Sequence, residues 1–178
     1  MFPAAIIAIF VLGATTVFVA KSEVRRWPVL GWLTHQAGTL FIERGKRADV
    51  ARINEQAARV LDSGVLLVIF PEGTSSDGRE VLPFKSSLLE PVIGRRHALS
   101  AAHLSYEVED GNSGEDVCYW GGMTFGPHLL KLLTKRRIVA SVTFTAIAES
   151  AGCRKELARH LHSEVSRLKS ARAAARVP

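Results

Sequence analysis

The 178-residue chain has two cysteines, Cys118 and Cys153, and neither belongs to a C-x-x-C pair. That excludes a disulfide framework and points to a reducing compartment. There is no zinc-finger spacing and no run of five or more basic residues. The aromatics are mostly phenylalanines in apolar surroundings, which suits a core better than a platform for stacking bases, so no nucleic-acid partner is expected. Gly121, Gly122 and Gly126 lie close together, but no G-K-[ST] and no G-x-G-x-x-G accompanies them. A nucleotide phosphate loop is therefore excluded. Internal repeats and low-complexity linkers are also missing, and residues 1–20 carry no charged side chain.

What is present is apolar and basic. Hydrophobic residues make up 47% of the chain, the mean hydropathy is +0.13 and the net charge is +6. The length suits one domain, taken as 1–178, with a core of its own. The charge suits anionic lipid or phosphorylated small molecules.

The uncharged residues 1–20 admit two readings. One is a short membrane span followed by Lys21, Arg25 and Arg26 on the inner side. The other is a buried helix over 4–12, a turn, and a strand over 17–20. The Gly13-Ala14-Thr15-Thr16 break and the β-branched residues after it favour the second. A secretory signal is set aside because no basic segment comes first. Trp27 and Trp32, beside Val29, Leu30 and Leu33, form an apolar patch next to Arg25 and Arg26. It suits a membrane interface or ordinary core packing equally.

Residues 65–70, VLLVIF, read as a strand buried on both faces, ended by Pro71, which has no N–H to donate. Glu72, Gly73, Thr74, Ser75, Ser76, Asp77 and Gly78 follow. A carboxylate, hydroxyls and flexible backbone thus stand at the carboxyl end of a core strand, where α/β proteins bind ligands. Upstream, 39–42 reads as another strand. Between the two, Val50, Ile53, Ala57, Val60 and Leu61 keep helical spacing over 49–62, with Asp49 able to cap the helix and Gly64 able to end it. This is a β-α-β crossover with parallel strands. It puts Arg44 and Glu72 past the carboxyl ends of neighbouring strands, facing one crevice. Further on, the pattern predicts a short helix over 86–93, a strand over 99–108, an acidic loop over 107–116, a short helix over 128–133, a strand over 138–147 and a closing helix over 154–168. The closing helix carries Arg154, Lys155, Arg159, Arg167 and Lys169, read as a solvated face. The fold class is α/β, with a mixed, largely parallel sheet flanked by helices.

Three blocks resemble the glycerophospholipid acyltransferase family. Phe70-Pro71-Glu72-Gly73-Thr74 with Ser76 is similar to its FPEGTRS block, and Leu82-Pro83-Phe84-Lys85-Ser86-Ser87-Leu88 to the segment that follows it. Gly38-Thr39-Leu40-Phe41-Ile42-Glu43-Arg44 is similar to G-x-x-F-[IV]-x-R. The resemblance covers about residues 17–165. It implies acyl transfer from acyl-CoA or acyl carrier protein to the hydroxyl of a lysophospholipid or related lysolipid. It also implies a membrane surface as partner, a place on the cytoplasmic face, and no metal or other cofactor. Arg44 is then the phosphate-binding arginine, a role a planar guanidinium suits. On its own it reads as a surface residue pairing with Glu43 or Asp49. Glu72, Gly73 and Thr74 shape the acceptor site. Ser75 stands where the block usually has arginine, which leaves Lys21, Arg44 or Lys85 to compensate. Some bacterial members, including those that acylate lyso-ornithine lipids, look similar here, so the acceptor need not carry phosphate.

Two departures matter. The family's proline-containing fourth block is degraded, with Ala101 at the aligned position and His103 nearby. The family's general base and its orienting aspartate come from an N-H-x-x-x-x-D block upstream of Lys21. The histidines here are His35, His97, His103, His128, His160 and His162, and none has an aspartate five residues on. No catalytic residue is therefore assigned. The expectation is either a chain that starts inside the catalytic block or an inactive lipid-binding module of the same fold.

Overall fold

A computed structural model describes residues 16–21, 39–42, 47–94, 97–148 and 152–175, with backbone alone at 20, 21 and 47. The helix expected over 4–12, the tryptophan patch and Arg44 lie outside these residues.

Strand β1 (Thr16–Lys21) lies between β2 (Leu40–Ile42) and β3 (Leu66–Val68), parallel to both. Helix α1 (Arg47–Asp62) links β2 to β3. The crossover is as expected, but its two strands are not neighbours, because β1 is inserted between them. The apolar stripe of α1 packs on this sheet. Ile53 is 1% exposed and joins Val19, Ile42 and Leu88 in one core cluster. Full burial of such a side chain contributes about 2–3 kcal/mol over leaving it in water. Asp49, expected as a cap, falls inside the first turn of α1 and binds Arg52 at 2.6 Å. Arg52 also donates to the Phe41 carbonyl at 3.2 Å, tying the helix to β2. At the other end Gly64 does stop the helix. Its φ of 75° lets Val65 N–H reach the Val60 carbonyl at 3.3 Å while its own N–H reaches that of Leu61 at 3.0 Å.

Strand β3 is not buried on both faces. Leu66 is 51% exposed and none of residues 65–70 is fully buried. The cause is position: β3 is the edge of the described three-stranded sheet, where an apolar run has cover on one side only.

The second half of the chain forms a longer ladder. Strands β4 (Leu99–Val108) and β5 (Ile138–Ile147) pair antiparallel along their whole length. Two of the three described strand pairings are parallel, so the mixed α/β expectation is met. Because side chains alternate, one face of the pair packs under the closing helix, here α3 (Arg154–Ala174). Ala101, Leu89, Leu157, Ala158, Leu161 and Val165 form that core, with Leu99 and Ile147 packed against it. The other face leaves Phe144 55% exposed. A 3-10 helix (Ser86–Val92) bridges the halves, tied to α1 by Asn54 Nδ2 donating to the Ser87 carbonyl at 3.1 Å.

The acidic stretch expected as a loop is more ordered than that. Residues Ser113–Val117 form a π-helical turn, capped by Asn112 Oδ1 accepting from Gly114 N at 2.9 Å. Asp116 is buried there and binds Lys131 of helix α2 (Phe125–Leu133) and Lys135 Nζ, the latter at 2.8 Å. The Asn112 N–H donates to the same carboxylate at 2.9 Å. These donors hold the Asp116 carboxyl well below the usual carboxylate range. A β-carbon at Gly111 would collide with the Asp116 carboxylate and Lys135 Nζ, so a side chain there displaces this ion pair. Cys153 is the exposed N-cap of α3, whereas Cys118 is partly buried beside Gly78 and burial pushes its thiol up. Among the described residues no helix is long and apolar enough to cross a membrane.

Candidate functional site

All three strands of the parallel sheet run the same way, so their carboxyl ends share one edge. The register gives the levels. Lys21 of β1 stands opposite Ile42 of β2, and Phe18 of β1 opposite Val68 of β3. The β1–β3 pairing ends at Phe18 and Val68, and the chain then leaves the sheet through Ile69 and Phe70 into the turn at Pro71 and Glu72, past the carboxyl end of β3. Arg44, the second residue after Ile42 in the chain, lies outside the described residues, as does the side chain of Lys21. Strands stand about 4.8 Å apart, so β1 separates the ends of β2 and β3 by about 10 Å. The strand order reverses at β1, which is where α/β sheets open a crevice.

The polar segment after β3 is shaped by its own residues. Gly73 N–H donates to the Phe70 carbonyl at 3.1 Å, closing a turn with proline in its second position. Gly73 has a φ of 69°, and a β-carbon there would meet Lys85 Cδ at 2.9 Å. The aliphatic stem of Lys85 thus lies on the turn, and Lys85 N–H donates to the Pro71 carbonyl at 2.8 Å. The two sequence blocks, 70–74 and 82–88, meet here. Ser76 Oγ accepts from Gly78 N at 3.3 Å and Asp77 Oδ1 from Arg79 N at 3.0 Å, ordering the tip. Glu72 is half-buried, Gly73 buried and Thr74 exposed.

Burial pushes the Glu72 carboxyl above its usual range. A hydrogen bond from the Leu82 backbone N–H, then the charges of His162 and Lys169, pull it part of the way back. These last two residues come from α3, more than eighty positions along the chain. His162 Nε2 lies 3.1 Å from the Val81 carbonyl and its ring stands edge-on to Phe84, centroids 5.3 Å apart. Lys169 Nζ donates to the Gly78 carbonyl at 3.0 Å and also to that of Arg79.

Arg154, Lys155, Arg159 and Arg167 are exposed, as the solvated-face reading expects, whereas Lys169 and Arg172 are only partly so. Besides Lys169, Arg172 pairs with Glu107 at 3.0 Å and Arg154 with Glu90 at 2.9 Å. Sequence reasoning missed Leu82, His162 and Lys169 as neighbours of Glu72. His162 stood out only as a histidine without the expected aspartate, and no local pattern marks a contact across ninety residues. Of the residues predicted for the site, Glu72, Gly73 and Thr74 share the turn after β3, and the Lys21 backbone ends β1 opposite Ile42.

The chain is similar to several known proteins. It is 36% identical to the lyso-ornithine lipid O-acyltransferase of Rhodobacter capsulatus over 132 residues, 71% of this chain and 48% of that protein. Identity to the 1-acyl-sn-glycerol-3-phosphate acyltransferase of Neisseria gonorrhoeae is 32% over 134 residues, 75% of this chain and 52% of that one. Identity to the lyso-ornithine lipid O-acyltransferase of Pseudomonas aeruginosa is 35%, over 85% of this chain and 58% of that one. The crystal structure of the 1-acyl-sn-glycerophosphate acyltransferase PlsC from Thermotoga maritima aligns with a TM-score of 0.49 at 23% identity, covering 92% of this chain and 61% of that one. The chain spans about half the length of the first of these curated relatives. A sequence model of the acyltransferase family matches residues 5–94, from before β1 to the end of the 3-10 helix, and the chain belongs to that family.

Proposed function

We propose that the protein takes part in transfer of a fatty acyl group from a thioester, acyl-CoA or acyl carrier protein, to the free hydroxyl of a lysolipid at the cytoplasmic face of a membrane. The observation that carries this reading is the closed Glu72-Gly73 turn past the carboxyl end of β3, locked by Lys85. In the reaction the acceptor oxygen bonds the acyl carbon, the carbon–sulfur bond breaks and the thiol leaves. The proton of the hydroxyl passes to a base. The resemblance puts that base in the N-H-x-x-x-x-D block, a pattern these 178 residues do not contain.

The role of the present residues is to hold the acceptor. Arg44 and Lys21 supply cationic donors for the head group. Gly73 brings backbone close to it, Thr74 offers an exposed hydroxyl, and Glu72 accepts from a hydroxyl or amine of the acceptor. A carboxylate beside the head group suits an acceptor with a cationic or neutral donor, which agrees with Ser75 replacing the usual arginine.

The test uses protein isolated from its host, with acyl-CoA or acyl carrier protein as donor and either 1-acyl-sn-glycerol-3-phosphate or lyso-ornithine lipid as acceptor. Thioester-dependent acylation of either acceptor is the expected result. Salt-sensitive binding to anionic vesicles without turnover would replace it with the lipid-binding reading. No acylation and no binding would sink both.

A further inference from the structure

We infer that His162 and Lys169 of α3 are positioning residues that hold the Glu72 loop in its acceptor-binding shape. This rests on the reading above that the loop meets a lysolipid head group.

His162, Ser166 and Lys169 follow i, i+4, i+7 spacing and share one helix face. That face looks onto residues 72–85. A carbonyl only accepts, so in its contact with Val81 the His162 Nε2 carries the hydrogen. Its ring also packs on Phe84. About two turns further along, the Lys169 ammonium gathers two consecutive carbonyls, of Gly78 and Arg79. Those carbonyls lie in irregular backbone with no ladder partner, where a charged donor is worth most. The Lys169 ammonium also acts on the Glu72 carboxylate. The loop's own bonds close its base, where Lys85 N–H reaches the Pro71 carbonyl and Leu82 N–H reaches Glu72, and its tip, where Ser76 and Asp77 bind two residues on. The backbone carbonyls between them, of Gly78, Arg79 and Val81, are held by α3.

These contacts are separable from docking of the helix. Leu157, Ala158, Leu161 and Val165 already fix α3 to Leu89 and Ala101. Removing a polar tether at the neighbouring face should free the loop and leave the helix in place. Both residues also lie beyond position 94, where the family match ends.

The experiment compares the full chain with Lys169→Met, which keeps the aliphatic stem, and Lys169→Arg, whose guanidinium can serve both carbonyls. Amide hydrogen exchange is followed over 72–85 and over α3 and β4, without ligand. Affinity for micellar 1-acyl-sn-glycerol-3-phosphate and lyso-ornithine lipid is measured alongside. The expected result for Lys169→Met is about tenfold faster exchange confined to 72–85, with lysolipid affinity about tenfold weaker. Lys169→Arg restores both. His162→Ala, read the same way, serves if Lys169→Met does not fold. Unchanged exchange over 72–85 overturns the inference, as does equal loss of protection throughout α3 and β4. Faster loop exchange with unchanged lysolipid affinity overturns the acceptor role. A wild-type chain that binds neither lysolipid overturns the reading of the site itself, while the exchange data still say whether the tether exists.

Discussion

Glu72 and Asp116 are carboxylates at two places in the same molecule, and their surroundings push them in opposite directions. Asp116 takes two lysine ammoniums and a backbone N–H, and its carboxyl is held far down. Glu72 is half-buried with one backbone N–H and only the longer-range fields of His162 and Lys169, and its carboxyl is pushed up. The first arrangement is closed: the charge is matched within its own turn, and Gly111 leaves no space for more. The second is open, with a carboxylate desolvated but incompletely matched. A fold gains from the first and not from the second, so the proposed acceptor role of Glu72 is what the contrast puts to the test.

The largest effect that would sharpen this contrast is at Asp116. Asp116→Ala leaves Lys131 and Lys135 facing each other without their shared carboxylate, with Lys135 keeping the Asp110 carbonyl at 2.9 Å, and a stability loss of about 1–3 kcal/mol is expected in urea unfolding. The sign of its pH dependence follows from the depressed folded-state value. The stabilisation is fully present above about pH 4, the ordinary carboxyl range, and is lost as pH falls through the folded-state value. The gap between wild type and Asp116→Ala should therefore close on acidification, and a gap that stays constant down to pH 2 would refute the assignment.

Next in size is Gly73→Ala. The positive φ costs about 1–2 kcal/mol for an L side chain, and Lys85 must also move. Lower thermal stability together with weaker lysolipid binding is expected. Full binding in this variant would show that the turn can change shape without consequence.

Smallest in stability is Glu72→Gln. A raised folded-state value means that ionisation at neutral pH opposes folding, so removing the charge should leave stability unchanged or raise it by less than about 0.5 kcal/mol. Lysolipid binding or acyl transfer should fall. A variant that is clearly less stable at pH 7 would place Glu72 with Asp116 as a structural carboxylate and erase the distinction.

The elements that periodicity fixes were legible before any coordinates. Strands over 99–108 and 138–147 lie where the alternation and β-branched residues put them, and α1 buries Ile53 and Ala57 as its stripe requires. Gly64 ends that helix by a local conformational rule. What was not legible depends on neighbours in space. Six apolar residues at 65–70 say "strand" but not "edge", because strand order is decided by β1, nearly fifty residues earlier. Asp116 looked like one more acid in a polar loop, since its lysines sit in a different helix or beyond it. Lys169 looked like one charge in a basic run, since its two acceptors are backbone carbonyls about ninety positions away. The turn at Glu72 and Gly73 was readable from Pro71 and the glycine beside it, whereas the contacts of His162 and Lys169 with residues 78–84 were not.

The two thiols turn this arrangement into something that can be watched. Cys153 is exposed at the head of α3, while Cys118 is partly buried against Gly78, in the stretch Lys169 holds, with its thiolate form suppressed. An alkylating reagent at neutral pH should therefore take Cys153 fast and Cys118 slowly. The wild-type sequence thus carries its own reference: the slow modification, timed against the fast one, reads the cover over Cys118, to which Gly78 contributes.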